Sequence, residues 1–185
     1  MNREEALSLL KKHISNQKMI AHCLASEAVM RALAKHLGED ENKWGLAGLL
    51  HDLDAEIVNN DMNTHGLETE KILKQHGLDA KIIEAIKLHN EEALHGLQRT
   101  TNFHHALAAG ETITGLIFAT ALVYPDKKLE SVKAKSITKR MKEKAFAASV
   151  NRETIRECEK LGLTVNEFAE ISLNAMKKIA PQLGF

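Results

Sequence analysis

Apolar residues recur along this chain at the three- and four-residue spacing of amphipathic helices, and no segment alternates as a half-buried strand does. Only two prolines interrupt the pattern, at positions 125 and 181. The sequence therefore predicts an all-α fold. The predicted helices are a short one around Leu7–Ile14, then Lys18–Leu37, Asp40 to about Asp54, about Thr64–Gln75, Ala80 to about His89, about Asn102–Leu122, and three short ones near Ile137–Ser149, Arg152–Leu161 and Val165–Ile179.

Residues that start and stop helices lie between these segments. Gly38 and Gly77 are placed to end helices, Asp40 and Asp79 to cap the next ones, and Thr164-x-x-Glu167 forms a capping box. The polar stretch 59–64 is predicted to be a loop. Because no internal repeat or long linker divides the chain, we expect a single domain over residues 1–185. It would consist of a helical core over about 17–120 and a C-terminal extension over about 126–185 that packs on it.

Composition limits the classes of function. The formal net charge is zero and only seven residues are aromatic, so nucleic acid is an unlikely main partner. The longest apolar run, Ala106–Val123, contains Glu111 and three threonines, which favours a core helix over a membrane span. The two cysteines lack Cys-x-x-Cys spacing, and the first residues have no signal-peptide shape. We therefore expect a cytoplasmic protein without a membrane partner, for which homo-oligomerisation is left open.

The strongest chemical signal is the pair His51-Asp52 at the end of the apolar segment Trp44–Leu50. An imidazole and a carboxylate beside so many apolar residues are costly to bury unless something satisfies both. A divalent cation would do so. The alternative is that Asp52 caps a following turn and His51 is hydrogen-bonded.

Other metal-type side chains follow a regular order. His22 lies among apolar residues of the second helix, and Glu111 lies in a Gly/Ala-rich part of the sixth. His104 is seven residues before Glu111 and on the same helical face, whereas His105 is expected to point elsewhere, toward solvent. His65 and His89 stand at the ends of the fourth and fifth helices, where a solvated histidine is common.

In this order, His22, His51-Asp52, His65, His89 and a late acid, the chain resembles the HD-domain (HDIG-type) metal-dependent phosphohydrolases. The segments that carry the resemblance are Leu46-Ala-Gly-Leu-Leu-His51-Asp52, His65-Gly-Leu-Glu and Ile83-Glu-Ala-Ile-Lys-Leu-His89-Asn90. The resemblance implies that His22, His51, Asp52 and Glu111 hold one divalent metal. It implies that His65 and His89 help to hold a second in the binuclear members.

Two positions depart from the family pattern. Glu111 stands where the family usually has Asp. Leu53-Asp54-Ala55 follows the His-Asp pair where many members have a Gly and then a Lys, so one phosphate contact is missing and a carboxylate is added.

The expected activity is hydrolysis of a nucleotide or another small phosphate ester by metal-activated water. Mixed imidazole and carboxylate ligands suit one or two ions of Mn, Fe, Zn, Co or Ni. The predicted catalytic residues are Asp52, His65 and His89. His104 is a further candidate ligand. Arg140 and Arg152, in or after a stretch rich in lysine, are candidate phosphate-binding residues.

Three other interpretations remain open from the sequence. The chain could be a degenerate HD domain that binds a nucleotide or metal without turnover, as the Glu at 111 and the missing lysine suggest. It could be a helical interaction protein whose histidines bind nothing. It could also carry non-hydrolytic metal chemistry, such as di-iron oxygenation.

Overall fold

A computed structural model of the chain describes residues 1–59, 61–91, 93 and 95–185. Asn60 of the predicted loop 59–64 lies outside the described residues. The described part folds into α-helices and two short 3₁₀ turns without a strand, which confirms the all-α prediction. The helices are α1 (Arg3–His13), α2 (Gln17–Leu37), α3 (Glu41–Leu50), α4 (Leu67–Gln75), α5 (Ala80–His89), α6 (Asn102–Leu122), α7 (Ala134–Arg140), α8 (Arg152–Arg156), α9 (Val165–Lys177) and α10 (Ala180–Leu183), with 3₁₀ turns at Leu129–Ser131 and Glu157–Leu161.

The predicted caps form as expected. The Asp40 carboxylate accepts hydrogen bonds from the backbone N–H groups of Asn42 and Lys43 at the start of α3. Gly38 ends α2 in the left-handed conformation with φ 74°. Thr164 and Glu167 form the predicted capping box of α9. These local signals explain why the helix starts could be predicted well.

Helix α2 is the centre of the fold, packing against α3, α6 and α9. Its contact with α3 is close because position 48 lacks a side chain. A Cβ on Gly48 would lie 2.6 Å from the backbone oxygen of Ser26. This approach brings the end of α3, with His51 and Asp52, against the face of α2 that carries His22.

Helix α6 also lies in the core, between α2, α5 and the C-terminal elements. By length and composition it is the one helix in the described residues that could cross a membrane. Of its most apolar window, 67% is buried inside the fold, as is usual for a core helix. Fully buried apolar side chains from α1 to α10, among them Leu10, Met30, Leu50, Ile113 and Phe168, form one continuous core.

Two predicted helix ends were wrong. Helix α3 ends at Leu50, not near Asp54, and residues 51–59 form turns. The reason is a set of long-range hydrogen bonds: the Asp54 backbone N–H donates to Thr69, and its carboxylate accepts from Gly66 and Thr69. The helix predicted near Ile137–Ser149 is α7, which ends at Arg140.

Candidate metal centre

Four segments that are distant in sequence bring five metal-type side chains to one place. His22 comes from the first turns of α2, and His51 and Asp52 follow the last turn of α3. His65 precedes α4, and His89 is the last residue of α5. We call these five residues the His–Asp cluster. All except His22 are less than 9% exposed, so their charges are largely removed from water.

The Asp52 carboxylate is the centre of the His–Asp cluster. Its Oδ1 lies 3.4 Å from His51 Nε2, 3.0 Å from His65 Nε2 and 3.7 Å from His89 Nε2. Its Oδ2 lies 3.4 Å from His22 Nε2. Every imidazole therefore presents the same ring atom, Nε2, to one carboxylate.

The opposite ring atom of two histidines is fixed by helix carbonyls. His51 Nδ1 lies 2.9 Å from the carbonyl oxygen of Gly48, and His89 Nδ1 lies 2.5 Å from that of Ile86. Because a carbonyl can only accept, each Nδ1 carries the hydrogen. In a neutral imidazole the Nε2 atom then has a free lone pair.

The other two histidines are oriented by side chains in the same way. His22 Nδ1 lies 2.8 Å from the hydroxyl of Thr114, whose hydrogen is donated to the Glu111 carbonyl at 2.7 Å. The hydroxyl must therefore accept from His22. His65 Nδ1 donates to the Asp54 carboxylate over 2.7 Å. Partners of this kind fix the tautomer of metal-binding histidines in known metal sites.

These orientations point four Nε2 atoms inward, each with a lone pair when its imidazole is neutral. The Nε2 atoms of His22 and His51 are 3.1 Å apart, and those of His65 and His89 are 3.0 Å apart. Each buried acceptor left without a partner costs about 1–3 kcal/mol, and a carboxylate among them adds repulsion. A cation at the centre would turn this repulsion into attraction.

The cluster contains two overlapping groups of potential ligands. One is His22, His51 and Asp52, and the other is Asp52, His65 and His89; in each, one ligand atom per residue lies within 4.8 Å of the others. Nitrogen and carboxylate oxygen together suit a divalent transition metal. The donor set therefore fits one such ion, or two that share Asp52.

The pKa values of the cluster respond to the same geometry. Burial lowers the pKa of His51 to about 3, against the opposing effect of Asp52. Burial also acts to lower the pKa of His65, but hydrogen bonds to Asp52 and Asp54 outweigh it and raise the value to about 10. A proton on His65 is thus favoured where a metal could otherwise provide the positive charge.

Glu111 lies at the edge of the cluster. Its Oε2 is 3.8 Å from His22 Nε2, and it belongs to neither group of three. Burial raises the pKa of this carboxyl to about 8, and the Asp52 charge acts in the same direction, although a hydrogen bond with Thr112 opposes it. A cation beside Glu111 would favour its ionised form.

A cavity of about 420 Å³ opens onto the cluster. Its described lining includes His22, Asp52, His65, His89 and Glu111. His51 is completely buried behind them. The cavity gives a small molecule access to the same side chains that could hold a metal.

The structure does not bring three of the predicted site residues to this cavity. His104 accepts a hydrogen bond from the backbone of Thr100, and its Nε2 lies 3.8 Å from Glu84. The Arg140 guanidinium lies over the ring of Phe146, 4.0 Å from its centroid. The Arg152 guanidinium donates to backbone carbonyls of the preceding loop. None of the three is among the described residues that line the cavity.

The expectation that His105 points toward solvent was wrong. Its side chain is buried, and its Nδ1 lies 2.5 Å from Glu157 Oε2. Glu157 also accepts a hydrogen bond from Arg99 Nε. The Nη1 atom of Arg99 donates to the carbonyls of Leu88 and His89. The C-terminal part of the chain is thereby connected to the end of α5, where His89 stands.

Sequence reasoning missed the roles of Asp54, Arg99 and Thr114. Asp54 had a usable signal, since it is a carboxylate between Leu53 and Ala55, and the argument applied to His51 and Asp52 applies to it equally. Thr114 lies one turn from Gly110 and Glu111 in the Gly/Ala-rich part of α6. For Arg99 the sequence offers no comparable signal, because its partners are backbone carbonyls and a carboxylate 58 residues away.

Comparison with known proteins agrees with this geometry. The family model of the HD domain matches residues 19–122, more than half of the chain. Ribonuclease Y from two strains of Nitratidesulfovibrio vulgaris, DP4 and Hildenborough, is 34% identical over 77 residues. This match covers 42% of the chain and only 15% of the relative, and no solved structure matches. On the family match and the ordered ligand set, the chain belongs to the HD-domain family.

Proposed function

We propose that this protein is a metal-dependent phosphohydrolase that acts on a small phosphate ester, such as a nucleotide. The observation that carries the proposal is the inward orientation of four Nε2 atoms around Asp52, each fixed from behind by a hydrogen bond at Nδ1. The cavity of about 420 Å³ that opens onto that centre would admit a substrate of small-molecule size, which supports the proposal. The HD-domain family to which the chain belongs consists largely of enzymes with this type of activity.

Each residue of the cluster has a distinct task in the proposal. His22 and His51 would hold one ion together with Asp52, while His65 and His89 would hold a second through the same carboxylate. A divalent ion supplies a nucleophilic water at neutral pH and positive charge against the phosphate. Asp54 keeps His65 oriented. If only one ion binds, His65 and His89 are free to orient the phosphate or to protonate the leaving oxygen.

The test combines metal analysis with turnover. Protein purified without chelator should contain a divalent transition metal, and it should hydrolyse members of a panel of nucleotides and phosphomonoesters after loading with Mn²⁺, Fe²⁺, Zn²⁺, Co²⁺ or Ni²⁺. His51→Ala and Asp52→Ala should remove both the metal and the activity. His36→Ala, an exposed histidine near the end of α2, is the matched control and should change neither.

The outcomes separate this proposal from the alternatives. Activity that persists in metal-free His51→Ala would contradict it. Bound metal and bound nucleotide without product under every metal would favour a binding module. That alternative has one specific support: among the described residues that line the cavity, Arg99 is the one lysine or arginine, so cationic phosphate contacts are few.

A further inference from the structure

The loop at residues 141–151, between α7 and α8, forms part of the wall of the cavity. Ser149, Val150 and Asn151 line it, together with Thr154 of α8. All four side chains are uncharged. This part of the wall therefore differs chemically from the end that holds imidazoles and carboxylates.

Val150 lies directly against helix α6, close to the candidate metal centre. A Cβ built on Gly115 would lie 3.3 Å from Val150 Cγ2. Gly115 is four residues after Glu111 and so occupies the same face of α6 one turn later. The glycine leaves the space that Val150 occupies, which brings the loop within one helical turn of Glu111.

Arg152 holds the loop in this position. Its Nη1 donates over 2.6 Å to the carbonyls of Ala147 and Val150, and its Nη2 donates to the carbonyl of Phe146. Ala147 adopts the left-handed conformation with φ 44°, which is unfavourable for a residue with a side chain. The bonds from Arg152 offset that cost, so Arg152 is a positioning residue for Val150.

The cavity has little free positive charge with which to bind additional phosphate groups. Arg99 is the one arginine or lysine among its described lining residues. All five of its N–H donors are engaged: Nε and Nη2 with Glu157, Nη2 also with Glu91, and Nη1 with the carbonyls of Leu88 and His89. A diphosphate or triphosphate would therefore place extra negative charge where the described lining residues offer no free guanidinium or ammonium group.

We infer that the loop tip at Ser149, Val150 and Asn151 receives the uncharged organic group of the substrate, and that the substrate carries a single phosphate group on it. A nucleoside monophosphate or a smaller monophosphate ester has this chemistry. This inference rests on the proposed function for the orientation of the phosphate toward the His–Asp cluster. It adds the requirement that the rest of the substrate be uncharged.

The test measures binding and turnover separately in Mn²⁺-loaded protein. The probes are adenosine 5′-monophosphate, the corresponding diphosphate and triphosphate, and glycerol 3-phosphate as a small ester. We expect calorimetry to show the monophosphate binding at least tenfold more tightly than the triphosphate. Val150→Phe should weaken binding of the nucleoside monophosphate about tenfold while changing glycerol 3-phosphate much less. Val123→Phe, at an exposed valine beyond α6, should change neither.

Arg152 is tested by a readout that general destabilisation does not produce. Arg152→Ala should raise KM for the nucleoside monophosphate more than it lowers kcat, with metal content unchanged, and added guanidinium ion should partly restore KM. Arg156→Ala, which removes an exposed ion-paired arginine from the same helix, is the control. Guanidinium that restores nothing would contradict the positioning role.

The binding and turnover measurements distinguish failure of this inference from failure of the proposed function. Turnover together with tighter binding of the triphosphate, or with equal effects of Val150→Phe on both esters, overturns the inference alone. Selective binding of the monophosphate without turnover under any metal supports the inference and overturns the hydrolase proposal. Absence of binding by every probe overturns the inference.

Discussion

His65 Nδ1 donates to Asp54 Oδ1 over 2.7 Å, and this bond fixes the tautomer of a histidine whose other nitrogen faces Asp52. Asp54 is completely buried, and its second oxygen accepts from the backbone N–H groups of Gly66 and Thr69. The carboxylate thus fixes both the ring and the backbone that carries it. It stands at the glycine position of the family pattern, one residue before the position of the lysine, which is Ala55 here.

We predict that Asp54→Asn weakens metal binding about 10- to 100-fold, the usual effect of removing a partner behind a metal-binding histidine. An amide can still accept from one side, but it donates on the other, where Asp54 now accepts two N–H bonds. Titration of metal-free protein with Mn²⁺ measures the change. Asp126→Asn, at an exposed turn, should leave the affinity unaltered. Equal affinity in both variants would show that Asp54 is not needed to orient His65.

Removal of metal should lower thermal stability. A cation among the inward Nε2 atoms and the Asp52 carboxylate provides the positive charge that this cluster favours, and an ion that binds only the folded state adds about 4 kcal/mol when its free concentration is a thousand times Kd. For a chain of this size, that corresponds to a fall in Tm of roughly 10 °C on chelation. Scanning calorimetry before and after chelation, followed by metal replacement, checks this. A Tm insensitive to chelation in protein shown to contain metal would argue against a cation at the centre.

Because Glu157 contacts Arg99 and His105, the free energy of unfolding should depend on pH in the acidic range. Burial acts to raise the pKa of Glu157, but hydrogen bonds from Arg99 and His105 outweigh it and lower the value. The stabilisation by ionised Glu157 is therefore fully present above the ordinary glutamate pKa of about 4.3. It is lost as the pH falls through the lowered pKa that Glu157 has in the folded protein.

Glu157→Gln is expected to cost about 3 kcal/mol near neutral pH, because it leaves the buried Arg99 without its main carboxylate partner. The difference from the wild type should shrink below pH 4. Denaturant unfolding at pH 7 and pH 3.5 measures both values. Glu159→Gln, at an exposed glutamate in the same 3₁₀ turn, is the control and should cost little at either pH. A Glu157→Gln cost that is unchanged at low pH would contradict the assignment.

Gly48→Ala should be more damaging than Gly115→Ala. A Cβ at position 48 meets the backbone of α2 at 2.6 Å, which can be relieved only by moving a helix, whereas at position 115 it meets one methyl group at 3.3 Å. We expect Gly48→Ala to lower the free energy of unfolding by about 1–3 kcal/mol and to weaken metal binding, since His51 directly follows the last residue of that helix. Gly115→Ala should retain metal and alter KM. Denaturant unfolding measures the stability of both variants, and metal titration measures their affinity for the ion. A larger loss of stability in Gly115→Ala than in Gly48→Ala would refute the packing argument.

The helices could be predicted from the sequence because the residues that start and stop a helix lie beside it. The His–Asp cluster could be predicted because its residues follow a fixed order along the chain. Caps such as Asp40 lie beside the helices they start, and His51-Asp52 is costly in its apolar segment whatever surrounds it. Partners distant in the chain could not be predicted. Nothing near Arg99 or His105 indicates that both side chains bind Glu157, which lies 58 and 52 residues away.

The ion pair between Arg99 and Glu157 joins the region that the HD-domain family model matches to the C-terminal part of the chain. The HD-domain match ends at residue 122, yet Glu157 neutralises a buried guanidinium that also binds the carbonyl of His89. A fragment cut at that family boundary would retain every histidine of the cluster, yet Arg99, which binds the carbonyl of one of them, would lose its Glu157 partner. The residues that support the candidate site therefore extend beyond the region that the family model matches.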